Sequence, residues 1–236
     1  MKEHVVNNFR ELHEVLSQYR KDNKWLFRGH GDPTWVLTPK VGRDEFVGCN
    51  ELSMFQAWKR RAVEFISLPF DDDWGWLAVA QHHGLATRLL DWTFNPLAAA
   101  FFAVETLKDC DAVIFAYRRE YIVIPENVWP FAINGVATFR PKGVAPRIIR
   151  QGGIFTVHGE PERPLDTVLT DPHALEKIIV RSSYRQELLF ELSHYGVNRA
   201  TLFPDLDGLS AYMNWKTINR RYWSVPIDRE ADEAVP

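Results

Sequence analysis

The sequence predicts an α+β chain: a single mixed domain, residues 1–236, with a central, mainly antiparallel sheet flanked by helices. Three observations carry this. Short apolar runs of strand length, Lys24–Arg28, Ala112–Tyr117, Ile154–Val157 and Leu175–Val180, are interspersed with stretches of helical periodicity. Cap residues stand before the helical stretches, as in Asn95-Pro96. No repeat, low-complexity tract or long linker interrupts the 236 residues, and nine Trp with fifteen Phe supply a substantial core.

Taken in order, Val5, Phe9, Leu12, Leu16 and Tyr19 recur at helical spacing, which predicts an amphipathic helix over 5–20, packed on the sheet. Lys24–Arg28 reads as a short strand with Trp25 and Phe27 on one face, broken by Gly29, Gly31 and Asp32-Pro33. Leu52, Phe55, Ala62 and Phe65 predict a helix over about 50–66. Asp71 to Asp73 offer N-caps for a helix through Trp76, Ala78 and Val79, which Gly84 ends. Asn95 as cap and Pro96 at the first position start a buried helix over Leu97–Leu107. Ala112–Tyr117 is apolar throughout and so reads as a central strand. Residues 120–147 read as irregular. Strands follow at Ile154–Val157 and Leu175–Val180. Ser183 with Gln186 forms a capping-box pattern for a helix over 184–195, ended by Gly196. A last helix follows Pro204, with Asp205 and Asp207 as caps, and the acidic stretch Asp228–Pro236 reads as frayed.

Composition narrows the function classes. A net charge of −3 leaves no global positive field for nucleic acid, although Arg140, Arg147 and Arg150 form a local basic cluster. Cys49 and Cys110 are isolated, so a disulfide scaffold or zinc ribbon is not expected. No apolar run reaches the roughly 18 residues of a membrane span. Met1-Lys2-Glu3-His4 opens without an apolar signal-type region, and the expectation is a cytoplasmic protein with no membrane partner.

The polar residues concentrate in Gln81-His82-His83-Gly84-Leu85-Ala86-Thr87-Arg88-Leu89-Leu90-Asp91-Trp92-Thr93-Phe94-Asn95-Pro96, directly before the apolar run Leu97–Val104. Polar groups held against a core are costly unless paired or used. Two readings stay open: an internal Arg88–Asp91 salt bridge that locks the segment, or one wall of a pocket. A metal site from His30, His82, His83 and Asp91 is disfavoured, because adjacent histidines on a helix point apart. The same histidines serve equally as helix C-terminal caps.

Two segments carry a family resemblance: Trp25-Leu26-Phe27-Arg28-Gly29-His30, and Gln81-His82-His83-Gly84 running through Thr87-Arg88-Leu89-Leu90-Asp91-Trp92-Thr93 to Asn95-Pro96. Together they resemble the FRG domain, named for its Phe-Arg-Gly motif. Arg147–Thr156 and Thr201–Gly208 fit the same pattern, so the resemblance spans about 22–215. Ala86 stands where the family often has proline, and Gly152 where a second glutamine is common. The family occurs in bacteria and phages, which implies a toxin or phage-defence context.

The aromatic-Arg-Gly element also resembles, more distantly, the NAD-binding start of ADP-ribosyltransferases of the Arg-Ser-Glu type. That resemblance implies an ADP-ribosyltransferase-like fold, NAD as substrate and no metal. It assigns Arg28, Gly29, His30, Thr87, Arg88 and Thr93 to NAD binding, with Gly29 letting the nicotinamide approach the backbone. Asp91, Gln151 and Arg28 are the catalytic candidates. Arg147, Arg150, His82 and His83 would face the acceptor, a nucleic acid or a protein side chain. No late-strand glutamate is evident, since Glu187 and Glu191 fall on a predicted helix. Two alternatives remain: a non-catalytic nucleotide- or nucleic-acid-binding module that also uses Trp35 and Trp129, and a nuclease built on His82, His83 and Asp91.

Overall fold

The computed structural model of the chain describes residues 1–66, 70–106, 108–120, 122–141 and 150–219. Its seven strands are β1 Lys2–Val6, β2 Trp25–His30, β3 Leu89–Thr93, β4 Ala112–Arg118, β5 Val136–Phe139, β6 Gly153–His158 and β7 Leu175–Val180. They form one open sheet in the order β1-β7-β4-β2-β3-β6-β5. Only β1 and β7 run parallel; every other neighbouring pair is antiparallel. The helices are α1 Phe9–Leu16, α2 Glu51–Ala62, α3 Asp73–His82, α4 Pro96–Val104, α5 Leu165–Val168, α6 Arg185–His194, α7 Arg199–Leu202 and α8 Leu206–Ile218.

β4 is central, as its unbroken apolar run requires. Ala112, Ile114 and Ala116 pack with α4 and α6 on one face, while Val113, Phe115 and Tyr117 join Leu26, Trp92 and Ile154 on the other. This alternation is the period-2 consequence of a pleated strand. β3, β6 and β5 continue the sheet and bury Leu89, Val157, Phe155 and Phe139 against α2 and α3.

The helix starts follow their caps. Asp72 accepts from Gly75 N, Asn95 from Leu97 N, and Asp205 from Gly208 N. Gly84 and Gly196 end α3 and α6 with φ of +85° and +78°, a region costly for side-chain-bearing residues.

Several expectations are corrected. Residues 5–20 are not one helix. Residues 2–6 form β1, paired in register with Glu176 to Val180, and α1 begins only after the Asn8 cap. Val6, not Val5, is buried, so the apparent helical spacing from Val5 was fortuitous. β2 runs through Gly29 to His30 rather than stopping before them, because β4 pairs with it along its whole length. The Ser183–Gln186 capping box is absent: Ser182–Tyr184 form a 3-10 turn and Tyr184 occupies the cap without a side-chain bond. β5 lies inside the stretch read as irregular. Asp228–Pro236 falls outside the described residues.

Arg185 opens α6 and is 1% exposed. Its guanidinium donates to the carbonyls of Gly31, Cys110, Ala103 and Thr106 at 2.6–3.2 Å, tying the ends of β2 and α4 to the start of β4. Each hydrogen bond from a charged donor contributes about 1.5–3 kcal/mol. Arg185→Met is therefore expected to cost at least about 3 kcal/mol, read as a lowered midpoint in denaturant unfolding. An unchanged midpoint would refute the clamp.

Candidate functional site

The site follows from where the sheet comes apart. β2 and β3 share one register pair, Phe27 with Thr93, and diverge beyond it. The gap opens beside the C-terminus of α3 and one edge of α4. It forms a cleft of about 380 Å³ whose lining includes Arg28, Gln81, His82, Asp91, Glu105 and Gln151.

Arg28 spans the divergence. Its Nη1 donates to the Asp91 carbonyl at 2.8 Å and lies 3.7 Å from Asp91 Oδ2. Its Nε donates to His30 Nε2 at 2.9 Å. Arg28 and His30 are two residues apart on one strand and so share a face. Burial lowers the Arg28 pKa from its ordinary value, and Asp91 opposes that shift.

His30 is buried and does not line the cleft. Its Nδ1 faces the Trp35 carbonyl at 3.2 Å, and burial together with the Arg28 charge pushes its pKa down to about 3. The neutral ring with Nδ1 protonated fits both contacts. His30 thus positions Arg28, rather than meeting a pyrophosphate or ribose as the resemblance implied.

Asp91 is exposed to the cleft, with its side chain 56% accessible. Gln81 Nε2 donates to its Oδ2 at 2.8 Å, and Thr87 Oγ1 donates to Gln81 Oε1 at 2.7 Å. Thr87 is fully buried, so it acts through Gln81 and is not part of the cleft wall.

Arg88 does not pair with Asp91. Arg88 stands at a bend just before β3 rather than within it, and its side chain is taken by a different helix. Arg88 instead binds Glu51 through its backbone N, Nε and Nη2 at 2.8–2.9 Å, and its guanidinium lies over the Phe131 ring at 4.7 Å. It pins α2 to the sheet and stands outside the cleft.

Thr93 Oγ1 donates to the Gln151 carbonyl at 2.6 Å and accepts from Asn95 N at 2.9 Å. Gln151 lines the cleft, and its amide donates to the Leu202 carbonyl at 3.1 Å. His82 lines the cleft at the end of α3, whereas His83 is the exposed C-cap. Arg150 is exposed and outside the cleft lining; Arg147 lies outside the described residues. Among the described residues no group of three or more His, Cys, Asp or Glu is placed to hold a metal ion.

Gly29 lines the cleft, and packing by itself also requires glycine there. A Cβ there would sit 2.0 Å from Ala99 O and 2.5 Å from Ala103 N. The residue lets α4 lie directly on β2.

Sequence reasoning missed Glu105. Ala99, Phe102 and Glu105 recur every third residue along one edge of α4 and its C-cap, and all three line the cleft. Arg199 Nη1 holds the Glu105 carboxylate at 2.9 Å. The available signal was this spacing, with a lone acid closing an apolar helix.

A second buried histidine lies on β6. His158 Nε2 meets Thr156 Oγ1 at 2.9 Å, and burial followed by the Arg88 charge lowers its pKa to about 4. Both histidines are neutral when folded and bind protons near 6.5 when unfolded, so the unfolded state takes up more protons on acidification. Stability is therefore present above about pH 6.5 and falls as pH drops towards about 4 for His158 and about 3 for His30. The limiting slope is about 1.4 kcal/mol per pH unit for each. Denaturant unfolding at a series of pH values checks this, and His158→Phe is expected to flatten the profile.

No helix among the described residues is long and apolar enough to cross a membrane. No curated protein and no solved structure matches the chain. The later segments that share the resemblance, Arg147–Thr156 and Thr201–Gly208, lie beyond the stretch that a family model matches. That stretch runs from the residues just before β2 to the first residue of β4 and contains Arg28, Gln81, Asp91 and Glu105. Residues 23–112 match the family model of the FRG domain.

Proposed function

We propose that the chain is an ADP-ribosyltransferase-like enzyme that takes NAD as substrate and acts as a toxin or defence effector on a nucleic-acid or protein acceptor. The observation that carries this is the Arg28–Asp91 pair, 3.7 Å apart at the mouth of a polar cleft between diverging strands. A half-buried, pre-oriented guanidinium offers a planar fork to a pyrophosphate. His30 and the Asp91 carbonyl fix that fork before any ligand arrives.

Asp91, held by Gln81, presents its carboxylate where positive charge develops on ribose C1′. The bond from C1′ to the nicotinamide nitrogen breaks, and nicotinamide leaves with the bonding pair. The acceptor oxygen or nitrogen bonds to C1′ and gives up its proton to Asp91 or solvent. Gln151 stands within the same cleft to hydrogen-bond the ribose.

Incubation of the protein with adenylate-labelled NAD and total cell nucleic acid or protein is expected to transfer label and release nicotinamide. No transfer and no nicotinamide release would sink the reading. NAD binding without turnover would favour the non-catalytic module.

A further inference from the structure

Glu105 faces two cavities. Besides the polar cleft, it lines a second one of about 210 Å³ between α4, α6 and α8. This second cavity is walled by Phe101, Leu189, Tyr212 and Trp215, with Ser193 and Arg199 as polar neighbours. We propose that it seats the purine ring of a nucleotide, with the phosphate facing Arg199 and the main cleft. This deepens the NAD reading, on which it rests, by giving the adenosine half of the dinucleotide its own place.

Tyr212 and Trp215 lie one helical turn apart on α8, with near-parallel planes at 15° and centroids 6.1 Å apart. Phe190 backs Trp215 at 4.8 Å, which fixes the indole from behind. Every base has a π face, and stacking on an aromatic side chain contributes about 1–3 kcal/mol per base.

The polar groups are pre-set around these rings. Ser193 Oγ and Tyr212 Oη hydrogen-bond at 3.0 Å, and Asn198 is committed to capping α7. The interior therefore presents ring and methyl surface, with hydrogen-bonding groups at fixed places. A few polar groups on a mainly apolar wall is the usual composition of a small-molecule site.

Arg199 supplies charge at the boundary. Its Nη1 holds Glu105, yet its side chain is 46% exposed. A guanidinium has five donors in a planar fork, so it can keep the carboxylate and still meet a phosphate oxygen. The main cleft, by contrast, is lined by carboxylates and amides that can hydrogen-bond a ribose, with the Arg28 guanidinium for a pyrophosphate. The two cavities divide between them the polar and planar parts of one ligand.

The test uses AMP as probe on the full chain, with affinity from calorimetry and ring contact from saturation-transfer NMR of the H2 and H8 protons. AMP is expected to bind, with saturation strongest on the ring protons. Ala211→Phe, which fills the cavity from α8, is expected to weaken binding about tenfold or more. Ser193→Leu is a second blocking variant on a different helix, should Ala211→Phe fail to fold. Absence of AMP binding, or AMP affinity unchanged in both folded blocking variants, overturns the proposal. Failure of NAD turnover with AMP binding intact refutes the enzymatic reading alone. NAD turnover without AMP binding refutes the purine seat alone.

Discussion

Gly29→Ala is expected to abolish or nearly abolish folding. The added methyl would lie 2.0 Å from Ala99 O and 2.5 Å from Ala103 N. Those two atoms are four residues apart and face each other as acceptor and donor of one helical turn. The methyl would drive into the backbone of α4 itself, which has no rotamer with which to yield. Either α4 lifts from the sheet or β2 buckles away from β4, with which it pairs from Trp25 to His30. Lifting α4 uncovers Ala98, Ala99, Ala103 and Val104, all fully buried. Overpacking a core by one methylene costs about 1–3 kcal/mol when side chains can shift. Here backbone must shift, so the loss is expected to exceed about 3 kcal/mol of a total near 5–15 kcal/mol. Circular dichroism and denaturant unfolding of the purified variant measure it. A midpoint equal to the parent's would show that α4 can move freely and would remove the structural reason for this glycine.

Asp91→Asn is expected to lower kcat for nicotinamide release about 10²–10³-fold, with KM changed little. The substitution keeps the shape and leaves an oxygen that can accept from Gln81, so the local fold persists. It removes the negative charge that would face C1′ as positive charge develops there. The effect falls on the transition state more than on ground-state binding, which predicts the kcat-weighted split. Thr87→Val is expected to act in the same direction but more weakly, because it only frees Gln81, whose amide then orients Asp91 less firmly. Parent-level turnover in Asp91→Asn would exclude Asp91 from the chemistry and move attention to Glu105 as the remaining carboxylate of the cleft.

Much of the cleft was readable from residues close together in the chain. Arg28 stood out through its aromatic-Arg-Gly setting, and Asp91 through the density of polar residues before an apolar helix. Their meeting across 63 positions was only an expectation from resemblance. The Arg88–Asp91 pair was the plausible local alternative, and distant partners remove it: Glu51 captures Arg88, while Asp91 meets Arg28 and Gln81. Glu51 lies on a different helix 37 residues away, and no local pattern announces such a partner.

The sequence alone determined what depends on neighbours in the chain. The Asp72, Asn95 and Asp205 caps, the glycine stops at Gly84 and Gly196, and the central strand over Ala112–Tyr117 all rest on hydrogen bonds or periodicities within a few residues. The FRG motif was legible for the same reason. Only the tertiary structure decided what depends on distant segments. It made residues 2–6 a strand, because Leu175–Val180 offered a free edge with matching register. It turned His30 and Thr87 from ligand-facing candidates into buried supports for Arg28 and Gln81. It gave Gly29 to the packing of α4 and brought Glu105 into the cleft. The physical reason is shared: cap and period are settled by short-range bonding, whereas burial, partner and facing direction are set by whichever segment the sheet order places alongside.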